Sequence, residues 1–109
     1  MVNPSNKNLY TYCFDLDETL CNTLGTNYIN SSPIPERIAT VNELFAQGHL
    51  IKIYTARGSE SGINLRDLTE KQLKLWGVNY SSLHLGKPAS DFYIDDKAIN
   101  VKDFNWKLN

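Results

Sequence analysis

Four short stretches of this sequence carry side chains that could act together on a phosphoryl group. They are Asp15 with Asp17, Thr55, Lys87, and the adjacent pair Asp95 and Asp96. Each follows a short apolar run: Tyr12-Cys13-Phe14, Leu50-Ile51-Lys52-Ile53-Tyr54, Ser82-Leu83-His84-Leu85 and Phe92-Tyr93-Ile94. In open α/β sheets, ligands bind where strands end at their carboxyl side. The pattern therefore predicts four carboxylates, one hydroxyl and one ammonium gathered on a single rim. Crowded carboxylates repel unless a cation or a proton intervenes. With only oxygen donors on offer, the cation that fits is hard, Mg²⁺ rather than Zn²⁺. Lys87 can serve as a point charge for a phosphoryl oxygen, and the Thr55 hydroxyl can donate to another. The inventory suits phosphoryl transfer, where positioning and charge neutralisation supply most of the rate.

These residues need strands and helices to bring them together. The aromatic segment Leu9–Phe14 predicts a first strand ending at Asp15. Residues Cys21–Pro35, rich in Asn, Thr, Ser, Gly and Pro, predict a long turn-laden excursion with no core stripe of its own. Pro35 suits a helix start, Ile38, Val41, Leu44 and Phe45 follow at helical spacing, and Gly48 supplies the stop. Leu50–Tyr54 predicts a second strand closing on Thr55, and Ala56–Asn64 a loop. Leu65, Leu68, Gln72 and Leu75/Trp76 predict a second amphipathic helix, ended by Gly77. Ser82–Leu85 and Phe92–Ile94 predict a third and a fourth strand. Phe104, Trp106 and Leu108 give the tail enough apolar surface to dock back on the domain. Strands alternating with helices imply βαβ units and a mainly parallel sheet of about four strands.

Length and composition set the frame. The chain has 109 residues, 41% of them hydrophobic and 21% charged, so residues 1–109 read as one globular domain. Eleven Lys+Arg against twelve Asp+Glu give a net charge of −1, which makes no electrostatic case for nucleic acid or an anionic membrane. No apolar run approaches the ~20 residues of a membrane span, and the polar start lacks the apolar stretch of a signal peptide. Cys13 and Cys21 form neither a metal-spaced pair nor a disulfide framework, which suits a reduced cytoplasm. The expected partner is a small phosphorylated metabolite.

Phe14-Asp15-Leu16-Asp17-Glu18-Thr19 resembles the first motif of the haloacid dehalogenase superfamily, a strand running into Asp-x-Asp-x-Thr. Tyr54-Thr55 resembles its second motif, Lys87 in Gly86-Lys87-Pro88 its third, and Ile94-Asp95-Asp96 its fourth. All four stand in family order between about Leu9 and Asp96. The resemblance implies a minimal Rossmann-like three-layer α/β sandwich and a Mg²⁺-dependent phosphomonoester hydrolase. Asp15 would be the nucleophile that forms an aspartyl-phosphate. Asp17 would protonate the leaving alkoxide and then activate water. Thr55, Ala56, Arg57 and Lys87 would contact the substrate. Mg²⁺ would be held by the Asp15 carboxylate, the Leu16 backbone carbonyl and Asp95. Asp96 would be either a ligand through water or a partner that orients Lys87.

The intervals between motifs leave no room for a cap domain, so the chain resembles the capless members. An open site suits a bulky substrate, or a small one covered by a second copy of the chain. The excursion and the Ala56–Asn64 loop are the expected lids. The stretches Tyr54–Gly58 and Tyr93–Ala98 resemble small phosphatases of capsular polysaccharide biosynthesis, which implies a sugar or polyol phosphate; small nucleotidases share much of the pattern. A receiver-type phospho-acceptor domain is the alternative from signalling, and a catalytically silent binding module is a third. Arg57 reads either as a ligand for a second anionic group on the substrate or as a surface residue. Glu18 is expected to point away from the site. His49 and His84 are expected to be structural or exposed. Neither Cys13, in the first strand, nor Cys21, at the start of the excursion, has a nearby His in sequence to suggest a thiol nucleophile.

Overall fold

The computed structural model describes residues 8–107. Three parallel strands form the main sheet: β1 (Thr11–Asp15), β4 (Leu50–Thr55) and β5 (Ser82–Leu85), in the spatial order β1-β4-β5. Between β1 and β4 come a two-stranded antiparallel ribbon, β2 (Cys21–Asn22) with β3 (Ser32–Pro33), and helix α1 (Pro35–Ala46). Helix α2 (Arg66–Leu75) connects β4 to β5. Among the described residues, no helix is long and apolar enough to cross a membrane.

Register explains which residues share a face. Tyr12 pairs with Ile51 and Phe14 with Ile53, while Ile53 also pairs with Leu83. Partners in a parallel ladder point to the same side, and alternate residues along a strand point to opposite sides. Tyr12, Phe14, Ile51, Ile53, Thr55 and Leu83 therefore share one face, where Phe14, Ile51, Ile53, Thr55 and Leu83 are buried. Ile38, Val41 and Leu44 of α1, Leu73 of α2 and Val78 complete the core with Leu16, Leu20 and Cys21. Both β-α-β crossovers step in the same direction along the sheet, and right-handed crossovers then place both helices on that same face. On the opposite face Cys13 and His84 are exposed, with Lys52 and Tyr54 half-buried. The described residues thus build two layers, not the expected three.

The expected strand at Phe92–Ile94 does not form. Every residue from 91 to 100 is exposed, and Ile94 is 98% accessible. The sheet has three strands instead of about four, and β1 is one of its edges. The tail does dock: Phe104 and Trp106 pack edge-on to each other and both contact the Phe14 ring at 5.7 and 5.8 Å. The Thr40 hydroxyl bonds to the Trp106 carbonyl, and the Trp106 indole N–H donates to Val101. Leu108 lies outside the described residues. Two helical stripes are also rotated from expectation. In α1 Thr40 is buried while Phe45 is exposed; in α2 the inward residues are Thr69, Gln72 and Leu73, with Leu75 outside.

Candidate active site

A cleft of about 450 Å³ opens at the carboxyl ends of the strands. Its walls come from the segment after β1 (Asp15, Asp17, Glu18), the β2–β3 ribbon (Thr23, Tyr28), the end of β4 (Ala56, Arg57) and the segment after β5 (Lys87, Tyr93). Of the six rim residues expected from the sequence, Asp15, Asp17 and Lys87 line this cleft, and the expected substrate contacts Ala56 and Arg57 line it with them.

Asp15 ends β1, and a tight turn follows. The carbonyl of Leu16 accepts the amide N–H groups of Thr19, Leu20 and Cys21 at 3.1, 2.8 and 3.3 Å. Glu18 sits in the left-handed region at φ 65°, a conformation that costs a non-glycine residue about 1 kcal/mol or more. It lines the cleft, contrary to expectation, and its carboxylate accepts the Thr23 amide N–H at 2.8 Å. The turn holds Asp15 and Asp17 beside one cleft while burying Leu16 and Leu20 beneath it.

Lys87 reaches the site through a backbone tie, its N–H donating to the Thr55 carbonyl at 3.1 Å. Its ammonium lies 3.4 Å from Asp15 Oδ1 and 4.4 Å from the centre of the Tyr93 ring. Thr19 Oγ1 donates to the other Asp15 oxygen at 3.3 Å. Burial pushes the Asp15 carboxyl above its ordinary range, and the Lys87 charge and hydrogen bonds only partly offset that.

Asp17 is held differently. The Arg57 guanidinium grips it as a fork, Nε to Oδ2 at 3.0 Å and Nη2 to Oδ1 at 2.9 Å. Burial alone would raise the Asp17 carboxyl; the Arg57 hydrogen bonds outweigh it, with help from Thr23 and the Arg57 charge, and hold it below the usual range. The Thr23 hydroxyl donates to Oδ1 at 2.6 Å. Arg57 itself is 2% exposed, so it is not a surface residue. Its remaining donors reach Gln72 Oε1 at 2.6 Å, Thr69 Oγ1 at 3.2 Å and Ser31 Oγ at 3.3 Å, and its plane lies over the Tyr28 ring. Gly58 makes the loop beyond Arg57 possible: at φ +80°, a Cβ there would lie 2.2 Å from the Ile63 carbonyl oxygen.

Other expected contacts are arranged otherwise. Thr55 is buried, does not line the cleft, and its Oγ1 accepts the Arg57 amide N–H at 3.1 Å. Its part here is to hold the Arg57 backbone. Asp95 and Asp96 are exposed and outside the cleft lining, and Asp95 Oδ1 accepts the Lys97 N–H. The Leu16 carbonyl is committed to its turn. Among the described residues no group of three or more His, Cys, Asp or Glu side chains could hold a metal ion, so the donor set expected for Mg²⁺ does not fit in this arrangement.

Cys21 is buried, and burial together with the neighbouring Asp17 charge pushes its thiol up to about 11. The His49 ring accepts the Tyr10 N–H at 3.0 Å and stacks on Tyr10, a structural role. Sequence reasoning passed over Thr23, Tyr28, Ser31 and Thr69, which lie in turns or read as ordinary polar positions. Gln72 carried a signal, being an uncharged polar residue on an otherwise apolar helical stripe.

No protein-family model matches the chain, and no curated protein matches it. Among solved structures, a crystal structure of a structural-genomics target from Vibrio cholerae is 28% identical, with a TM-score of 0.81. The similarity covers 93% of this chain and 90% of that one. It extends over nearly the whole domain and carries no functional name.

Proposed function

We propose that the cleft hydrolyses phosphomonoesters through an aspartyl-phosphate on Asp15, the chemistry of a minimal, capless haloacid dehalogenase-like phosphatase. The observation that carries this reading is the pairing at the cleft mouth. A partly exposed carboxylate faces a partly exposed ammonium at 3.4 Å, with a second carboxylate two residues away along the chain. Parallel strands that deliver these groups to their carboxyl ends support the fold half of the reading.

The chemistry runs in two displacements. In the first, Asp15 attacks phosphorus as the ester P–O bond breaks, and the leaving oxygen takes a proton from Asp17. In the second, water attacks phosphorus, the acyl-phosphate bond breaks to regenerate Asp15, and Asp17 accepts the water proton. Lys87 neutralises charge on the transferring group. The donor set for Mg²⁺ is not assembled, so no step is assigned to the metal.

The test is phosphate release from a panel of sugar, polyol and nucleotide phosphates, each with and without Mg²⁺, on the wild-type chain and Asp15→Asn. Multiple turnover that vanishes in Asp15→Asn supports the proposal. A single stable phosphorylation per chain would instead identify a phospho-acceptor domain, and no reaction in any condition would refute the hydrolase reading.

A further inference from the structure

Arg57 is the residue a substrate's second anionic group would need, and the structure has already used it. A guanidinium has five N–H donors and accepts nothing. Here Nε donates to Asp17, Nη2 to Asp17, Ser31 and, more weakly, the Cys21 sulfur, and Nη1 to Gln72 and Thr69. One face of its plane rests over Tyr28 at 4.8 Å. The group is buried and saturated. A ligand could engage it only by breaking a two-point carboxylate fork.

Among the described residues, the only other cation lining the cleft is Lys87. Its ammonium has one carboxylate partner, Asp15, and is partly exposed, so it has donors left for a phosphoryl oxygen. Against these cations stand Asp15, Asp17 and Glu18, and among the described residues no cation pairs with Glu18. Once Lys87 holds a phosphoryl group, the described lining offers a second anion no free cation, only neutral donors such as the Tyr28 and Ser90 hydroxyls beside three carboxylates.

We infer that this cleft takes a phosphomonoester whose remainder is uncharged and discriminates against substrates with a second phosphate or a carboxylate. The inference rests on the hydrolase reading above and narrows its substrate class. It separates neutral-bodied esters, such as polyol or sugar monophosphates, from nucleoside polyphosphates and phosphorylated acids. It also assigns Arg57 the work of positioning Asp17, in place of the second-anion contact expected from its sequence position.

Two matched pairs test it: glycerol 3-phosphate against 3-phosphoglycerate, and glucitol 6-phosphate against 6-phosphogluconate. Each pair differs by one carboxylate. The expected result is a kcat/KM at least about tenfold higher for the neutral member, since specificity here comes from an unpaired like charge. Parity, or preference for the acid, overturns the inference. With Arg57→Lys both members should lose rate in parallel and keep their ratio; selective loss of the acid would show that Arg57 binds the second anion. Calorimetry on Asp15→Asn reads the same preference without turnover. Tighter binding of glycerol 3-phosphate, with no phosphate release by the wild type, leaves the inference standing and removes the hydrolase reading. Binding of neither, or tighter binding of 3-phosphoglycerate, overturns the inference.

Discussion

Replacing Arg57 by Met removes a charge that six side-chain hydrogen bonds surround, and the cost follows from what is left behind. Asp17, 22% exposed, loses its bidentate partner and becomes an uncompensated carboxylate at the cleft wall. Gln72 Oε1 loses its donor, although its amide N–H₂ keeps the Tyr28 carbonyl at 2.6 Å. Thr69 keeps its bond to the Leu65 carbonyl and loses little. Breaking a buried ion pair by removing one partner costs about 3–5 kcal/mol. Partial hydration of Asp17 places this case at the lower end, about 3 kcal/mol. A domain of this size has only about 5–15 kcal/mol in total, so the variant should fold but unfold early. With a urea m-value of about 1–3 kcal/mol/M, the midpoint should fall by at least about 1 M. Asp17→Asn should cost a similar amount, because it strands the buried guanidinium. The double variant should cost clearly less than the sum, with a coupling of at least about 1 kcal/mol. If Arg57→Met costs under about 1 kcal/mol, as an exposed pair would, or if the two changes add, the clamp is not holding this site together.

Further outcomes follow from the same geometry. Lys87→Met should lower kcat by about 10²–10³, the usual cost of deleting one charge-stabilising donor, while Lys87→Arg retains part of the rate in a phosphate-release assay. Under the proposed reaction the first displacement carries one proton on the Asp15–Asp17 pair, so kcat/KM should fall on the acid side through the lowered Asp17 value and on the alkaline side through the raised Asp15 value. The stability linkage of the two acids has opposite signs. The Asp17 contribution is complete above 3.8 and is lost as pH falls through its lower folded value. That of Asp15 is complete below 3.8 and is lost as pH rises through its higher folded value. Chemical denaturation between pH 2 and pH 7 would resolve both, the range being set by roughly the ordinary carboxyl values. Phe14→Ala should cost about 3–5 kcal/mol, since it empties the centre of the Tyr12, Phe104 and Trp106 cluster; thermal unfolding reads this directly.

Elements that depend on their own residues were legible in the sequence. Pro35 and Gly48 bracket α1 because one fixes a helical φ and the other takes φ +99°, and the observed helix runs Pro35–Ala46. Ser82–Leu85 emerges as the strand the alternation predicts. Phe92–Ile94 fails for a reason outside itself. Three apolar residues between Ser90-Asp91 and Asp95-Asp96 make a run shorter than a usual strand, and a strand exists only where a neighbouring edge accepts it. Arg57 failed in the same way. Sequence position places it near the rim, but whether a cation there is a free hand or a buried bracket depends on Asp17, Thr69 and Gln72, up to 40 residues distant.

The two carboxylates of the first motif show what position alone cannot assign. Asp15 and Asp17 stand two residues apart, yet burial drives one carboxyl up and the Arg57 fork drives the other down. Under the proposed reaction, the first displacement needs Asp15 ionised and Asp17 protonated, the reverse of this bias. A bound phosphoryl dianion changes the balance. Its negative charge beside Asp17 raises that carboxyl toward the acid the leaving oxygen requires, while Lys87 keeps a cation against Asp15. Once the alcohol departs with the Asp17 proton, the Asp15 charge has been consumed in the acyl-phosphate bond while the phosphoryl group stays a dianion. One negative charge fewer then faces Asp17, and the Arg57 fork holds it as the carboxylate that must take a proton from water. The clamp serves the second displacement and the ligand's own charge serves the first. One side chain can then act as acid and as base because the charge in the cleft changes during turnover.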